Sequence, residues 1–295
     1  MKFDSYHPAI NLVFFVAVIA MTIAFDQPVF LAISYVSAFI YSVKLNGRRA
    51  VVFNLGLLVF VALWTLFFAS FNHFGVTNLA RTIAGNQLTL ESLVYGFVVG
   101  VIISTVLMWF SCVNAIFSSD KVVYLFGKVS PKLSLALSIV LRLVPHVKEQ
   151  ARKVDAGQKC VGHGGGQGSL AQRFKHAVQR FSIMVTWASE SIAQSSDSMR
   201  SRGYLLKGRT AFSIYRFDNR DRSYVVFLFL CIFVVLMGAA LDQTSIVYNP
   251  AILMNTITPA SFLFYAAYAA LCLSPFALQV AGEAKFARLQ RSIGD

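Results

Sequence analysis

Long apolar segments alternate with short polar ones over most of this chain, and a polar, basic region interrupts the alternation near its middle. Most of the apolar segments are long enough to cross the roughly 30 Å hydrocarbon core of a bilayer as helices, and the first two are at the short end of the required length. They predict six membrane spans, at residues 9–25, 29–43, 51–71, 92–113, 224–241 and 261–280. We therefore expect an all-α integral membrane protein with about six transmembrane helices.

Composition supports this assignment. Of the 295 residues, 57% are hydrophobic and only 13% are charged, whereas about a quarter of the residues of a soluble domain are charged. Asp26, Gln27 and Pro28 follow the first apolar run in place of a small-residue cleavage site, so we expect a retained span rather than a signal peptide. The cysteines are too far apart for a disulfide framework or a metal site; they are Cys112, Cys160, Cys231 and Cys272.

The basic residues are distributed unevenly, and the chain carries a net charge of +13. Of the 26 Lys and Arg residues, every one except Arg81 falls in a segment that the six-span topology places on one side. Cytoplasmic loops of membrane proteins carry such an excess. We expect both termini to be cytoplasmic, and the location of the charge argues against nucleic acid as a partner.

Three regions follow from this pattern. Residues 1–113 would form transmembrane helices 1–4, residues 114–223 a cytoplasmic or interfacial coupling region, and residues 224–295 helices 5 and 6 with a basic tail. The middle region holds 18 of the 26 basic residues. Its segment 122–144 is apolar but interrupted by charges, which predicts a helix pair at the membrane interface. Arg142 and Pro145 mark the expected kink, since proline removes a backbone donor.

A second helix follows a glycine-rich break at residues 162–168, which lacks the spacing of a phosphate-binding loop and is predicted to be a hinge. Apolar residues recur every three or four positions and are expected to pack on neighbours; they are Leu170, Phe174, Ala177, Phe181, Met184, Ala188 and Ile192. Beyond residue 188 the side chains are mostly small and polar, which suits a helix that enters a groove. Arg200 and Arg202 precede Gly203 at its end, where arginine also stabilises the helix dipole.

Some patterns leave two interpretations open. Gly96 and Gly100 form a small-xxx-small pattern that either allows close helix approach or reflects the frequency of glycine in membrane helices. His146 and His163 have no partners at metal-ligand spacing, so packed or solvated histidines are favoured over ligands. Four acidic residues in the basic region favour ion pairs over acid–base catalysis; they are Glu149, Asp155, Glu190 and Asp197.

The order of several short motifs resembles the transmembrane T component of energy-coupling factor (ECF) transporters, which are ABC-type importers of vitamins and transition metals. His7 and Pro8 precede the first span, and the segment Leu141-Arg142-Leu143-Val144-Pro145 leads into a long helix. In this family the two coupling helices end near Ala-Arg-Gly. The corresponding residues here are Gln158, Cys160, Val161 and Gly162 at the first helix, and Arg200, Ser201, Arg202, Gly203 and Tyr204 at the second.

The resemblance implies that both helix ends dock in grooves of two ABC-type ATPases, and that the remaining surface contacts a small membrane S component. The chain itself would be non-catalytic and bind no cofactor, since ATP and Mg²⁺ are used by the ATPases. It would lie in a bacterial or archaeal plasma membrane. Val161 departs from the family pattern by replacing the arginine, so contact at the first end would be weaker or would use Lys159 or Arg152.

Two other functional classes stay open. One is a membrane-embedded enzyme that acts on a lipid or isoprenoid substrate, which requires a cluster of acidic or metal-binding residues at the membrane face. The other is a channel or a lipid-binding scaffold that works without ATPases. Copurification of partner proteins would separate these classes from an energy-coupling subunit.

Overall fold

The computed structural model describes residues 3–72, 75, 77–81, 87–129, 131–162, 169–204, 215, 217–242, 244, 246–248, 253–254 and 258–294. The helices in this part of the chain are α1 (Pro8–Ala24), α2 (Pro28–Asn46), α3 (Arg48–Phe71), α4 (Leu90–Ile116), α5 (Ser119–Val129), α6 (Pro131–Cys160), α7 (Leu170–Ser201), α8 (Asn219–Ala240) and α9 (Pro259–Gly294). A single 3₁₀ turn, Phe3–Ser5, precedes α1. The chain divides into unit 1, Met1–Ser118 with Tyr215–Asp295, and unit 2, Ser119–Ile214.

Unit 1 contains the six apolar helices α1–α4, α8 and α9. Five of them are long and apolar enough to cross a membrane, and α1, with 17 residues, is at the short end of the range of about 17–25. The protein is therefore a multi-pass, all-α membrane protein, as the sequence predicts. The unit boundaries differ from the predicted ones at 113 and 223, because α4 continues to Ile116 and α8 begins at Asn219.

Local sequence accounts for several helix starts. Pro8 and Pro28 are the first residues of α1 and α2, where the absent N–H has no helical partner to lose. The His7 ring accepts a hydrogen bond from the Ala9 amide at 3.2 Å. At α8, Asp218 and Asp221 form a reciprocal capping box. These caps satisfy amides that would otherwise lack partners in an apolar surrounding.

An aromatic cluster fills one part of the core of unit 1. Phe3, Phe14, Tyr41 and Trp109 are fully buried. The Phe3 ring meets Phe14 edge-on with centroids 5.4 Å apart, and Phe14 meets Trp109 at 6.0 Å. The Trp109 indole donates to the Ser34 hydroxyl at 3.1 Å. This cluster ties the chain start to α1, α2 and α4.

Helices α3 and α4 approach closely at the two glycines of the small-xxx-small pattern. A Cβ atom on Gly96 would lie 3.1 Å from the Phe68 Cβ, and one on Gly100 would lie 3.3 Å from the Trp64 Cδ1. Both distances are tighter than ordinary van der Waals contact. Of the two interpretations of this pattern, close helix packing is the one that the structure supports.

The two ends of unit 1 differ in charge. At one end the Lys44 ammonium pairs with Glu283 at 2.7 Å and the Asn46 amide donates to the Ser111 hydroxyl at 3.3 Å, which brings together α2, α4 and α9. At the opposite end the Gln27 amide donates to the Tyr265 hydroxyl at 2.6 Å. The segments that join helices at this opposite end contain a single Lys or Arg, Arg81.

Two short antiparallel hairpins lie in segments that the sequence predicts only as loops. Strand β1 (Asn78–Arg81) pairs with β2 (Gln87–Thr89), and β3 (Ile246–Val247) pairs with β4 (Leu253–Met254). Strands of two to four residues are too short to show a period-two pattern. The Tyr248 hydroxyl, just after β3, donates to the Asp26 carbonyl at 2.9 Å and so attaches this segment to the start of α2.

Unit 2 consists of α5, α6 and α7. The segment predicted as an interfacial helix pair forms α5 and the first half of α6, and the Ser134 hydroxyl joins them by donating to the Val123 carbonyl at 3.2 Å. Helix α6 continues through Pro145 as one element of 30 residues. The bend expected at Arg142 and Pro145 stays a prediction.

Candidate functional site

Helix α7 ends in a glycine cap formed by backbone hydrogen bonds. The Gly203 amide donates to the Arg200 carbonyl at 3.0 Å, and the Tyr204 amide donates to the Met199 carbonyl at 3.2 Å. Gly203 has φ 75°, the left-handed conformation that this cap requires and that glycine adopts without strain. The Ser201 hydroxyl adds a bond to the Ser198 carbonyl at 2.9 Å. The predicted helix end at Ser201-Arg202-Gly203 is confirmed.

Two exposed arginines stand at this cap. Arg202 is the capping residue itself, and Arg200 lies in the last helical turn. Neither guanidinium has a side-chain partner within the described residues. Their charge lies at the negative end of the helix dipole, a stabilising position worth about 0.3–1 kcal/mol when exposed. Both guanidinium groups therefore remain open to an acidic partner.

Helix α6 ends with the same local geometry. Its last residue is Cys160, and the Gly162 amide donates to the Lys159 carbonyl at 3.1 Å. Gly162 has φ 78°, within a few degrees of Gly203. Val161 occupies the position that corresponds to Arg202, and 69% of its surface is exposed. The two predicted sites thus share their backbone and differ in the capping side chain.

Lys159 and Arg152, the two cations that could replace arginine at the end of α6, differ in whether they already have a partner and in their distance from the cap. The Lys159 ammonium pairs with Asp155 at 3.0 Å, so it is already bound within unit 2. Arg152 is exposed on α6, but about 15 Å of helix separates it from Gly162. Gln158 is half-buried, and Cys160 is exposed and free. The α6 end therefore presents an apolar side chain and a thiol where the α7 end presents arginine.

Helices α6 and α7 pack antiparallel. The His146 ring contacts Trp187 with centroids 5.2 Å apart, and the Arg180 guanidinium donates to the Asp155 carboxylate at 2.7 Å. From the Asp155–Arg180 contact, the end of α6 lies five residues in one direction and the end of α7 lies 21 residues in the other. At 1.5 Å per residue, the two caps are roughly 40 Å apart along the pair. The two helix ends are thus far enough apart for each to contact a separate partner.

The face that α7 packs on α6 is not the predicted one. Among the seven apolar residues that the sequence predicts to pack on neighbours, only Met184 and Ala188 are half-buried, and the other five are exposed. The contacts made by Arg180 and Trp187 select a face of the helix roughly 95° from the centre of the predicted one. In the second half of α7, the small side chains from Ser189 onward are largely exposed, as expected for a slender helix that enters a groove.

The histidines and acidic residues considered as possible ligands or catalytic groups make contacts within unit 2 where the structure describes them. His146 packs against Trp187, and His163 lies outside the described residues. Glu149 pairs with Lys153 at 2.9 Å, and this hydrogen bond lowers the pKa of the carboxyl. Hydrogen bonds from Lys159 and then Arg180 lower the pKa of Asp155. No cluster of three metal-ligating side chains occurs in the described part of the chain.

No protein-family model matches this chain, and no characterised protein matches it at a significant level of similarity. The resemblance to ECF T components therefore rests on the short motifs of the sequence.

Proposed function

We propose that this protein is the energy-coupling transmembrane subunit of an ECF-type importer for a vitamin or a transition-metal ion. Two ABC-type ATPases would bind the ends of α6 and α7, and a small membrane S component would bind the substrate. ATP and Mg²⁺ act on the ATPases, and this chain transmits their motion. The protein itself is a non-catalytic subunit.

The observation that carries this proposal is Arg202. Its guanidinium is exposed and lacks a side-chain partner in the described structure, and it stands at the end of a helix of 32 residues. The α6 end forms an equivalent glycine cap with valine at that position, so the cap does not require arginine. An arginine can bind a carboxylate through two parallel hydrogen bonds, which fixes direction as well as affinity. Such a directional contact suits a helix that transmits the motion of an ATPase to the membrane helices.

The charge of unit 1 supports the orientation that this function needs. Nearly all basic residues of unit 1 lie in the segments at the Lys44 end of its helices. By the positive-inside bias this end faces the cytoplasm of a bacterial or archaeal plasma membrane, with both termini on that side. Unit 2 is inserted in the sequence between the Ser111 end of α4 and the start of α8. The chain would therefore leave unit 1 and return to it on the cytoplasmic side.

Affinity purification of the tagged full-length protein from its native membrane tests the proposal. Wild type is compared with Arg202→Glu and with Lys148→Glu, which makes the same charge change at an exposed position within α6. We expect wild type and Lys148→Glu to retain two ABC-type ATPases, a small membrane protein and ATP hydrolysis. Arg202→Glu should lose the ATPase that binds the α7 end.

Two results would contradict the proposal. Equal ATPase recovery with all three forms would remove the role of Arg202. Recovery of no ATPase with any form would favour the enzyme or the scaffold class instead. Helix content and detergent-extracted yield of each variant would be measured alongside, so that misfolding is recognised separately.

A further inference from the structure

Helix α7 carries an apolar surface that no described residue covers. We define the α7 stripe as Leu170, Phe174, Val178, Phe181 and Val185. All five are exposed, with 82% of the Leu170 surface and more than 70% of both Phe surfaces accessible. At 100° per residue they fall within an arc of about 80° and extend over about 22 Å. The face that contacts α6 is roughly 120° away, so packing between α6 and α7 leaves the stripe exposed.

Cations flank the stripe on both sides. Arg173 and Lys175 lie about 100° to either side of its centre, and both are exposed. No Asp or Glu occurs between Val161 and Ser189. The second half of α7 differs, because it contains Glu190 and Asp197 and few large apolar side chains. The combination of large apolar side chains with flanking cations and no acidic residue is therefore confined to the first half of the helix.

We infer that the first half of α7 lies in the headgroup region of a bilayer that contains anionic lipid. An apolar face bearing Phe and Leu, flanked by Lys and Arg, is the pattern of helices that lie in the membrane plane. The aliphatic stems of Arg173 and Lys175 reach outward along the apolar face while their charges bind lipid phosphates. The absence of acidic residues along this half avoids repulsion from an anionic surface.

The chain also keeps this helix near a bilayer. Seventeen residues separate the end of α7 from the start of α8, which is long and apolar enough to span the membrane. Such a tether allows a separation of at most about 60 Å, so binding to the surface is effectively intramolecular. This inference does not depend on the proposed energy-coupling function, because it concerns only α7 and lipid.

Spin labels on the full-length protein test the inference. In a Cys160→Ser background, which removes the exposed cysteine, labels are placed at Phe181→Cys and Phe174→Cys on the stripe. The control sites, Gln179→Cys and Ser182→Cys, are exposed within two residues of Phe181, about 140° and 80° from the centre of the stripe. The protein is reconstituted in phosphatidylcholine vesicles with and without about 30% phosphatidylglycerol, a lipid that supplies the anionic charge.

We expect stripe labels to show at least about a threefold higher ratio of oxygen to aqueous nickel-complex accessibility than control labels in anionic vesicles. The difference should shrink in phosphatidylcholine alone and in the Arg173→Glu, Lys175→Glu double variant. Water-exposed stripe labels in both vesicles would overturn the inference. Labels shielded from both probes would overturn it too, and would assign the stripe to a protein contact. Unchanged helix content verifies that each labelled form is folded.

Discussion

The ends of α6 and α7 have the same glycine conformation and the same glycine hydrogen bond, but one carries an apolar capping side chain and the other a charged one. Each helix stops two residues before a glycine with φ near 75–78°, and each glycine amide donates to the carbonyl three residues earlier. Between helix and glycine stands Val161 in one case and Arg202 in the other. The cap therefore forms with either side chain, and its stability does not explain the arginine. The fold therefore requires the glycine at each end, whereas the arginine at position 202 is free to serve a proposed partner.

The largest effect should come from removing the Arg202 side chain. If the proposed ATPase buries the Arg202 guanidinium against a carboxylate, truncating one partner of that pair costs about 2–5 kcal/mol, which corresponds to about 30-fold or more in affinity. Val161→Ala, the matched change at α6, should alter binding far less. Both are surface changes that leave the thermal unfolding midpoint nearly unaltered. Titration of purified ATPases onto the reconstituted protein measures the affinities.

Arg202→Lys sharpens this result, because lysine keeps the charge and loses the two-pronged hydrogen bond. We expect a transport defect greater than the roughly 0–1 kcal/mol that an ordinary surface ion pair contributes. Full transport by both Arg202→Lys and Arg202→Ala would show that Arg202 has no coupling role.

The glycines allow the backbone and the side chain to be tested separately. Alanine at Gly203 or Gly162 would carry a left-handed φ, which costs about 1–2 kcal/mol of local stability. Among the described residues other than its immediate neighbours, no atom lies within 4 Å of a Cβ built on Gly162, so the cost there comes from the backbone. Hydrogen exchange should show fraying at both altered ends. Only Gly203→Ala should also weaken ATPase binding, because it displaces Arg202; equal weakening by both would mean that the two ends contribute alike.

Sequence patterns predicted unit 1 more completely than unit 2. In unit 1, burial in lipid demands long apolar helices, so each predicted span coincides with one helix of the structure and passes its end by at most one residue. In unit 2, the position of each helix end could be predicted from its glycine, because glycine is the residue most favoured at positive φ. The packing face of α7 could not be predicted, since it depends on the contacts of Arg180 with Asp155 and of Trp187 with His146, which no periodic pattern within α7 reveals. The hairpins were too short to detect.

Val161→Arg tests whether the α6 end binds more tightly when it carries the same capping residue as the α7 end. The new guanidinium would stand on a cap that already has the geometry of the Arg202 site. If the facing ATPase presents acidic groups there, a charge-assisted hydrogen bond worth about 1.5–3 kcal/mol, less the entropy of ordering arginine, should strengthen binding by about 3- to 10-fold. Val161→Gln supplies a matched uncharged control. Unchanged affinity of Val161→Arg would show that the missing charge had not weakened this end.

The smallest expected effect concerns the contact that holds the two helices together. Asp155 binds Lys159 at 3.0 Å on its own helix and Arg180 at 2.7 Å on α7, and these contacts lower the pKa of its carboxyl. Because that pKa is lower in the folded state than in the unfolded state, the stabilisation is complete above the ordinary carboxyl pKa. It is lost as the pH falls through the lowered value. Acidification below about pH 4 should therefore loosen α6 from α7.

Glu149 provides the control for this pH dependence, since its pKa is also lowered but its partner Lys153 is on the same helix. Asp155→Asn should loosen the pair at neutral pH and remove the acid-dependent change, whereas Glu149→Gln should leave that change intact. Distances between spin labels on α6 and α7, recorded from pH 7 to pH 3, measure it. If the Asp155→Asn protein still opened on acidification, another group would be responsible. Because both carboxyls are solvated and screened, the helices should separate only partially, with the caps themselves preserved.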